Sequence, residues 1–393
     1  MYGNSSVLSI SPVINSCPGY SFPSVVCVNN HGSVLSPGFK REVHDVIGDA
    51  DTYPTIQMPD DHSFQAVQQA HFVLFDPHMG PDILGPSPRL DFMFELTEVT
   101  HEGPVYVPET NELYMSRLEK DYLYQLVVDL TNDPPTLSQR MAQPPIYAGA
   151  GARYRDGLIY YATLGGSEKL GSMPIRPGIY TLNISSGHST ALLNNYYGYF
   201  FNSVDDLDIS PAGDVWFTDN DYAHSTGVNS EAPQLQTATY RFTPSTGEVT
   251  MVESSLQEPN GISFSLSGST LFLTDTGAGS PSGVGKPLQY KSTGPRTVYA
   301  FDVDAEDGSL RNKRAIYQAI EYVPDGIKVS RNGYLITAAG HGLDILAPNG
   351  KLIARILTNF TVANLAFAGR DGEQIWAVGK GGAARVLCRL RGP

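Results

Sequence analysis

Short runs of alternating apolar and polar residues, cut by Gly-, Asn- and Asp-bearing turns, recur along the chain. Asp206–Asp219 reads DLDISPAGDVWFTD, Gly261–Asp275 reads GISFSLSGSTLFLTD, and Gly326–Ala339 reads GIKVSRNGYLITAA. Gly103–Leu118, GPVYVPETNELYMSRL, and Leu365–Gly379, LAFAGRDGEQIWAVG, follow the same form, and Gly151–Thr163, GARYRDGLIYYAT, is a more degenerate sixth copy. Each is strand, polar turn, strand, with the period-two alternation of a hairpin. The copies begin at residues 103, 151, 206, 261, 326 and 365, at spacings of 48, 55, 55, 65 and 39. Repeats of this length with room for two to four strands are the mark of propeller blades. Further strands are expected at Tyr122–Leu130, Ile179–Asn183, Ala238–Phe242 and Thr297–Asp302. The reading is an all-β, six-bladed β-propeller over residues 91–393, with residues 1–90 as an N-terminal arm and covering loop. Within that arm, residues 63–75 predict a short helix, and 63–90 lie over the ring as a covering loop or a lid. Residues 90–98, LDFMFELTE, predict a strand that closes the ring against the last blade.

The residue that heads each inner strand is, in order, Glu102, Ala150, Asp205, Asn260, Asp325 and Asn364. Asn and Asp before Gly are ordinary turn signals, but a turn does not require the same phase in five blades. Equivalent positions of a propeller stand at one height around the axis, so these side chains converge. Converging carboxylates repel unless a cation lies among them, and oxygen donors suit Ca²⁺ first, then Mg²⁺ or Mn²⁺. A second acid follows the hairpin in two copies, Asp219 in WFTD and Asp275 in LFLTD. His101 and His341 are candidate proton carriers. Asn260, Asp325 and Asn364, with Arg153 and Tyr154 of the second copy, are candidate substrate-binding residues. The loops Asn220–Gln236 and Gly277–Gly294 are expected to set pocket specificity.

Composition narrows the picture. The 393 residues include 39 Gly and 28 Pro, only 17% are charged, and the formal net charge is −14. Such a surface repels phosphate backbones and points away from nucleic acid and toward a small-molecule substrate. No apolar run reaches membrane-spanning length. Cys17, Cys27 and Cys388 form no CxxC, which excludes a cysteine zinc site; Cys17 and Cys27 are either disulfide-bonded or free thiols. Sequons stand at Asn4, Asn183 and Asn359, of use only in the secretory path. The first residues lack the pattern of a secretory leader, so the chain as given reads as cytosolic or as already processed. There is no P-loop, GxSxG or HExxH motif.

The stretches THEGPVYVPETNELYMS, FNSVDDLDISPAGDVWFTD, EPNGISFSLSGSTLFLTDTG, YVPDGIKV, APNGKLIARI and TVANLAFAG, across roughly residues 95–380, resemble the SMP-30/gluconolactonase/LRE-like family, and within it the fungal lactonohydrolases. The resemblance implies a six-bladed propeller, one divalent metal on the axis, and hydrolysis of lactones. It places metal ligands at Glu102 and Asp275, with Asp275 also the general base. Two positions depart from the family pattern. Asp205 stands where the family carries Asn, and Ala150 where it often carries Asn, so the expected metal set here is Glu102, Asp205 and Asp275. Three readings follow: a metal-dependent lactonase; an isomerase or cyclase of fungal-type secondary metabolism that has lost the metal; or a non-catalytic small-molecule binder.

Overall fold

The polar turns close hairpins in all six copies, and each hairpin grows outward by further antiparallel strands. The structure, a computed structural model, describes residues 12–29, 35, 37–41, 52–166, 169–170, 173–280 and 289–393. It is all-β with a propeller arrangement. Five sheets have four strands, the first running outward from His101–Val107 through Glu112–Arg117 and Gln125–Asp129 to Thr136–Arg140. The innermost strands are β1 (His101–Val107), β2 (Gly149–Arg155), β3 (Val204–Ile209), β4 (Pro259–Phe264), β5 (Pro324–Val329) and β6 (Thr361–Ala368). They touch in a closed cycle, β1 to β2, on through to β6, and β6 back to β1.

Burial explains why the apolar–polar alternation fades in the inner strands. Val215–Asp219, VWFTD, is buried at every position because both faces of its sheet pack against neighbouring sheets, whereas the outermost strand Thr136–Arg140 is exposed throughout. Phe201, Phe217 and Tyr240 fill one such inter-sheet layer, with Phe217 and Tyr240 stacked at 5.5 Å. The strand Arg89–Glu95 pairs with Gly382–Leu387 and closes the last sheet, where the sequence places it.

The expectation of six blades with an N-terminal arm needs correction. Five blades have four strands; the copy at β5 builds a seven-stranded sheet. Phe72–Leu74 pairs antiparallel with that copy's fourth strand, Leu352–Leu357, and Val25–Val28 and Ile14–Ser16 follow outside it. Apolar segments such as Phe72–Val73–Leu74, fully buried, gain more by covering a sheet edge than by standing apart. Cys17 and Cys27 are disulfide-bonded across the outer pair. The helix expected at 63–75 is a 3₁₀ helix over His62–Gln69, its N-terminus held by Asp61 accepting from the Ser63 amide at 2.9 Å, and Phe72–Leu74 of that stretch is strand. Asn183 and Asn359 are exposed; Asn4 lies outside the described residues.

Candidate active site

Every innermost strand carries a register irregularity at the same phase. The pairing shifts between Glu102 and Val105, Val204 and Leu207, Pro259 and Ile262, Pro324 and Ile327, and Val362 and Asn364, and β2 shifts opposite Ala162–Thr163. A bulge re-aims the side chain it carries, and these bulges hold the polar residues read from the sequence. Glycines follow four of them because the inner strands approach too closely for a Cβ. At Gly151 a Cβ would stand 2.5 Å from the Asp206 Cα, and at Gly261 it would stand 2.3 Å from the Asp325 carbonyl oxygen. These Asn-Gly and Asp-Gly pairs therefore lie in bulged strands and not in turns.

The WFTD and LFLTD ends have structural work of their own. Thr218 Oγ1 donates to the Asn260 carbonyl at 2.6 Å, and Thr274 Oγ1 donates to the Asp325 carbonyl at 3.0 Å, so each Thr ties its sheet to the next inner strand. Asp275 accepts from the amides of Gln257, Glu258 and Gly277 at 3.1, 3.0 and 3.1 Å, and Asp219 does the same for Asn202 and Ser203 at 3.1 and 2.7 Å. Asp275 does not line the cavity described next. Its expected place as ligand and base is corrected: its oxygens face loop amides, and it fixes the loop that delivers Asn260.

A cavity of about 630 Å³ opens at the bulged ends of the inner strands. Glu102, Asp205, Asn260 and Asp325 line it together, with Tyr222, Thr276 and Tyr322, the apolar Leu118, Leu164, Val228 and Val323, and Glu98, Lys120, Lys380 and His341. The loop after Val215–Asp219 contributes Tyr222 and Thr226–Val228, and the loop after Thr270–Asp275 contributes Tyr290, although residues 281–288 lie outside the described ones. Tyr222 Oη stands 2.6 Å from Thr276 Oγ1. No residue of 63–90 lines the cavity; among the described residues of the N-terminal segment Thr52 does.

Other candidates fall elsewhere. His101, 1% exposed, points between sheets, its Nδ1 3.0 Å from the Gly379 carbonyl, and burial lowers its pKa. Strand alternation forces this: with Glu102 turned to the cavity, its neighbour turns away. Arg153 pairs with Asp208 at 2.8 Å and, like Tyr154, is absent from the cavity wall. Both sit roughly 10 Å down β2 from the bulge at about 3.3 Å per residue. Asn364 stands behind the wall, hydrogen-bonded to Glu102. Ala150 is buried in an apolar cluster with Tyr147, Leu164 and Val228.

The ring is short of positive charge. Burial, then Asp325, Asp205 and Asp206, push the Glu102 carboxyl well up, against the Asn364 hydrogen bond. Burial also raises Asp325, reinforced by Asp205 and Asp206 and opposed by Asn260 and Lys328. Burial, opposed by a hydrogen bond from Asn220 and reinforced by Asp206, pushes Asp205 to about 7. Lys328 Nζ, 3.2 Å from Asp206 Oδ2, is the ammonium buried beneath the ring. Glu102 Oε2 is buried with no hydrogen-bond partner. An orphaned carboxylate oxygen beside two more acids and an amide oxygen is the donor chemistry of a hard divalent cation. Among the described residues no three His, Cys, Asp or Glu side chains converge closely enough to hold an ion alone. A cation here therefore needs the Asn260 amide as well. Sequence reasoning missed Asp206, Lys328, Glu321 and Tyr222; a lone Lys in the apolar run GIKV and the doubled acid of FNSVDD were the available signals.

Residues 100–378 match the SMP-30/gluconolactonase/LRE-like region. The chain is 52% identical to the lactonohydrolase oryL of Aspergillus oryzae over 389 residues, 98% of this chain and 89% of that one. Among solved structures it resembles a gluconolactonase from Xanthomonas campestris, with TM-score 0.65 and 21% identity over 80% of this chain and 94% of that one. It also resembles regucalcin, a calcium-binding protein of Agrobacterium tumefaciens, with TM-score 0.58 and 16% identity over 78% and 95% of the two chains.

Proposed function

The chain belongs to the SMP-30/gluconolactonase/LRE-like family, and on that premise we propose that it is a lactonohydrolase that opens a cyclic ester in the cavity above Glu102, Asp205, Asn260 and Asp325. We read the seven-stranded sheet as the sixth blade, which makes this cavity axial. The observation that carries the reading is the convergence of those four side chains, each on a bulge, with one buried carboxylate oxygen left without a partner. The lactonohydrolase name of the 52% identical relative supports hydrolysis over isomerisation.

A calcium-type cation, as in the name of the regucalcin neighbour, would be held by Glu102, Asn260 and Asp325 and would supply Lewis-acid polarisation of the ester carbonyl. The remaining chemistry belongs to the side chains. Asp205, oriented by the Asn220 amide, takes a proton from the attacking water. Water oxygen bonds to the acyl carbon, the ring C–O bond breaks, and the released alkoxide takes the Nε2 proton of a doubly protonated His341, giving a hydroxy acid; the proton held by Asp205 then returns to His341 through solvent. Leu118, Leu164 and Val228 receive the apolar part of the substrate. Asp205 stands where the family pattern usually carries Asn, so this reading places a base at a position that pattern gives to a neutral side chain.

The test compares two conservative substitutions by pH-stat on a panel of γ- and δ-lactones. Asp325→Asn is expected to lower kcat at least 10²-fold, whereas Asp275→Asn leaves turnover per folded molecule within a few-fold. The reverse ranking sinks the assignment.

A further inference from the structure

Glu321 lines the cavity and is engaged on both carboxylate oxygens. Oε1 accepts the His341 backbone N–H and lies 3.4 Å from His341 Nδ1. Oε2 accepts the Tyr53 N–H at 2.8 Å and lies 2.8 Å from Arg355 Nη2. Arg355 is fully buried and donates to Asp344 Oδ1 at 2.6 Å and to the Ala339 carbonyl at 2.8 Å. Asp344 Oδ2 in turn accepts from Tyr317 Oη at 2.8 Å. The turn carrying His341 is shaped around this carboxylate: Gly340 has φ +55°, and a Cβ there would stand 2.5 Å from Glu321 Oε1. Burial pushes the Glu321 carboxyl up, but the Arg355 charge and the hydrogen bonds from His341 and Tyr53 outweigh it and hold it at about 2. A permanently ionised carboxylate therefore faces one nitrogen of a ring that borders the cavity.

We infer that Glu321 is a positioning residue that fixes the His341 imidazole with its proton on Nδ1, so that Nε2 is the atom exchanging protons with the substrate. Carboxylate–imidazole pairs of this kind set both tautomer and ring orientation. Glu321 faces the Nδ1 side of the ring, and Arg355 stands behind Glu321. The Tyr53 amide makes the N-terminal segment part of the same assembly, because Glu321 accepts from Tyr53 and His341 at once. The inference rests on the lactonase reading for the identity of the proton acceptor, not for the tautomer.

Two measurements test it. Long-range ¹H–¹⁵N spectra of the intact protein should show neutral His341 protonated on Nδ1, a signature lost in Glu321→Gln. A protonated Nε2 in the parent overturns the inference, whether or not the variant folds. Kinetically, His341→Gln should lower kcat by about 10²–10⁴-fold and Glu321→Gln by about 10–100-fold with KM little changed. The double variant should be no slower than His341→Gln alone. Equal losses from Glu321→Gln in both backgrounds would mark a structural role and refute the dyad. Should no lactone be turned over while the Nδ1 tautomer is present and depends on Glu321, the proposed function fails and the dyad stands.

Discussion

Lys328→Met isolates the buried charge beneath the ring. Lys328 Nζ and Asp206 Oδ2 are 3.2 Å apart, and their side chains are 6% and 1% exposed. Removing the ammonium leaves Asp206 buried near Glu102, Asp205 and Asp325 without its ion-pair partner. Breaking a buried pair from one side costs about 3–5 kcal/mol, a large share of the roughly 5–15 kcal/mol that holds a domain together. Lys328→Met should lower calcium-free stability in urea by that amount. Asp206→Asn with Lys328→Met should recover most of it, since the stranded charge is gone. Adding calcium should stabilise Lys328→Met more than the parent, because one repelling cation has left the ring. The assay is urea unfolding followed by tryptophan fluorescence, with and without calcium. A single variant within 1 kcal/mol of the parent, or a double variant no better than the single, would refute the reasoning.

Three further outcomes follow. Gly151→Ala places a Cβ 2.5 Å from the Asp206 backbone; it should cost about 1–3 kcal/mol and, by moving β3, lower kcat more than the same change at Gly157, which has nothing within 4 Å and a positive φ that taxes stability alone. Glu321 has its carboxyl held at about 2 against 4.5; a depressed acid stabilises above its unfolded value, so about 3 kcal/mol should be present above pH 4.5 and be lost as pH falls toward 2. Glu321→Gln should flatten that limb of the acid-unfolding curve, and an unchanged limb would contradict the ion-pair account. Reducing Cys17–Cys27 should speed hydrogen exchange at Val25–Val28 while leaving β1 to β6 unchanged.

Much of the fold was legible because a propeller repeats itself. Six hairpins at one phase were visible in the alternation and the turns, as was the strand Arg89–Glu95 that closes the last sheet. The seven-stranded sheet was not visible: whether Phe72–Leu74 covers an edge or stands apart depends on an edge presented by Leu352–Leu357, far away in sequence. In the site, phase alone located Glu102, Asp205, Asn260 and Asp325, because bulges recur with the repeat. Asp275 misled for a physical reason. An acid ending a strand beside a loop can face the axis or the loop's own amides, and only the backbone path decides. His101 and Arg153 failed on strand geometry, one residue out of alternation and too far down the strand. Glu321 and Lys328 were single charges in apolar surroundings, and their partners came from other sheets.

The central claim is that Glu102, Asn260 and Asp325 bind a divalent cation beside Asp205 and that a lactone is hydrolysed there. It is tested most directly by following one lactone's ring opening by pH-stat in a single preparation, first untreated, then after chelation and dialysis, then with calcium restored. The account predicts hydroxy-acid production that falls at least 10²-fold on chelation and returns with calcium. Full turnover in protein shown by elemental analysis to be free of metal would contradict it.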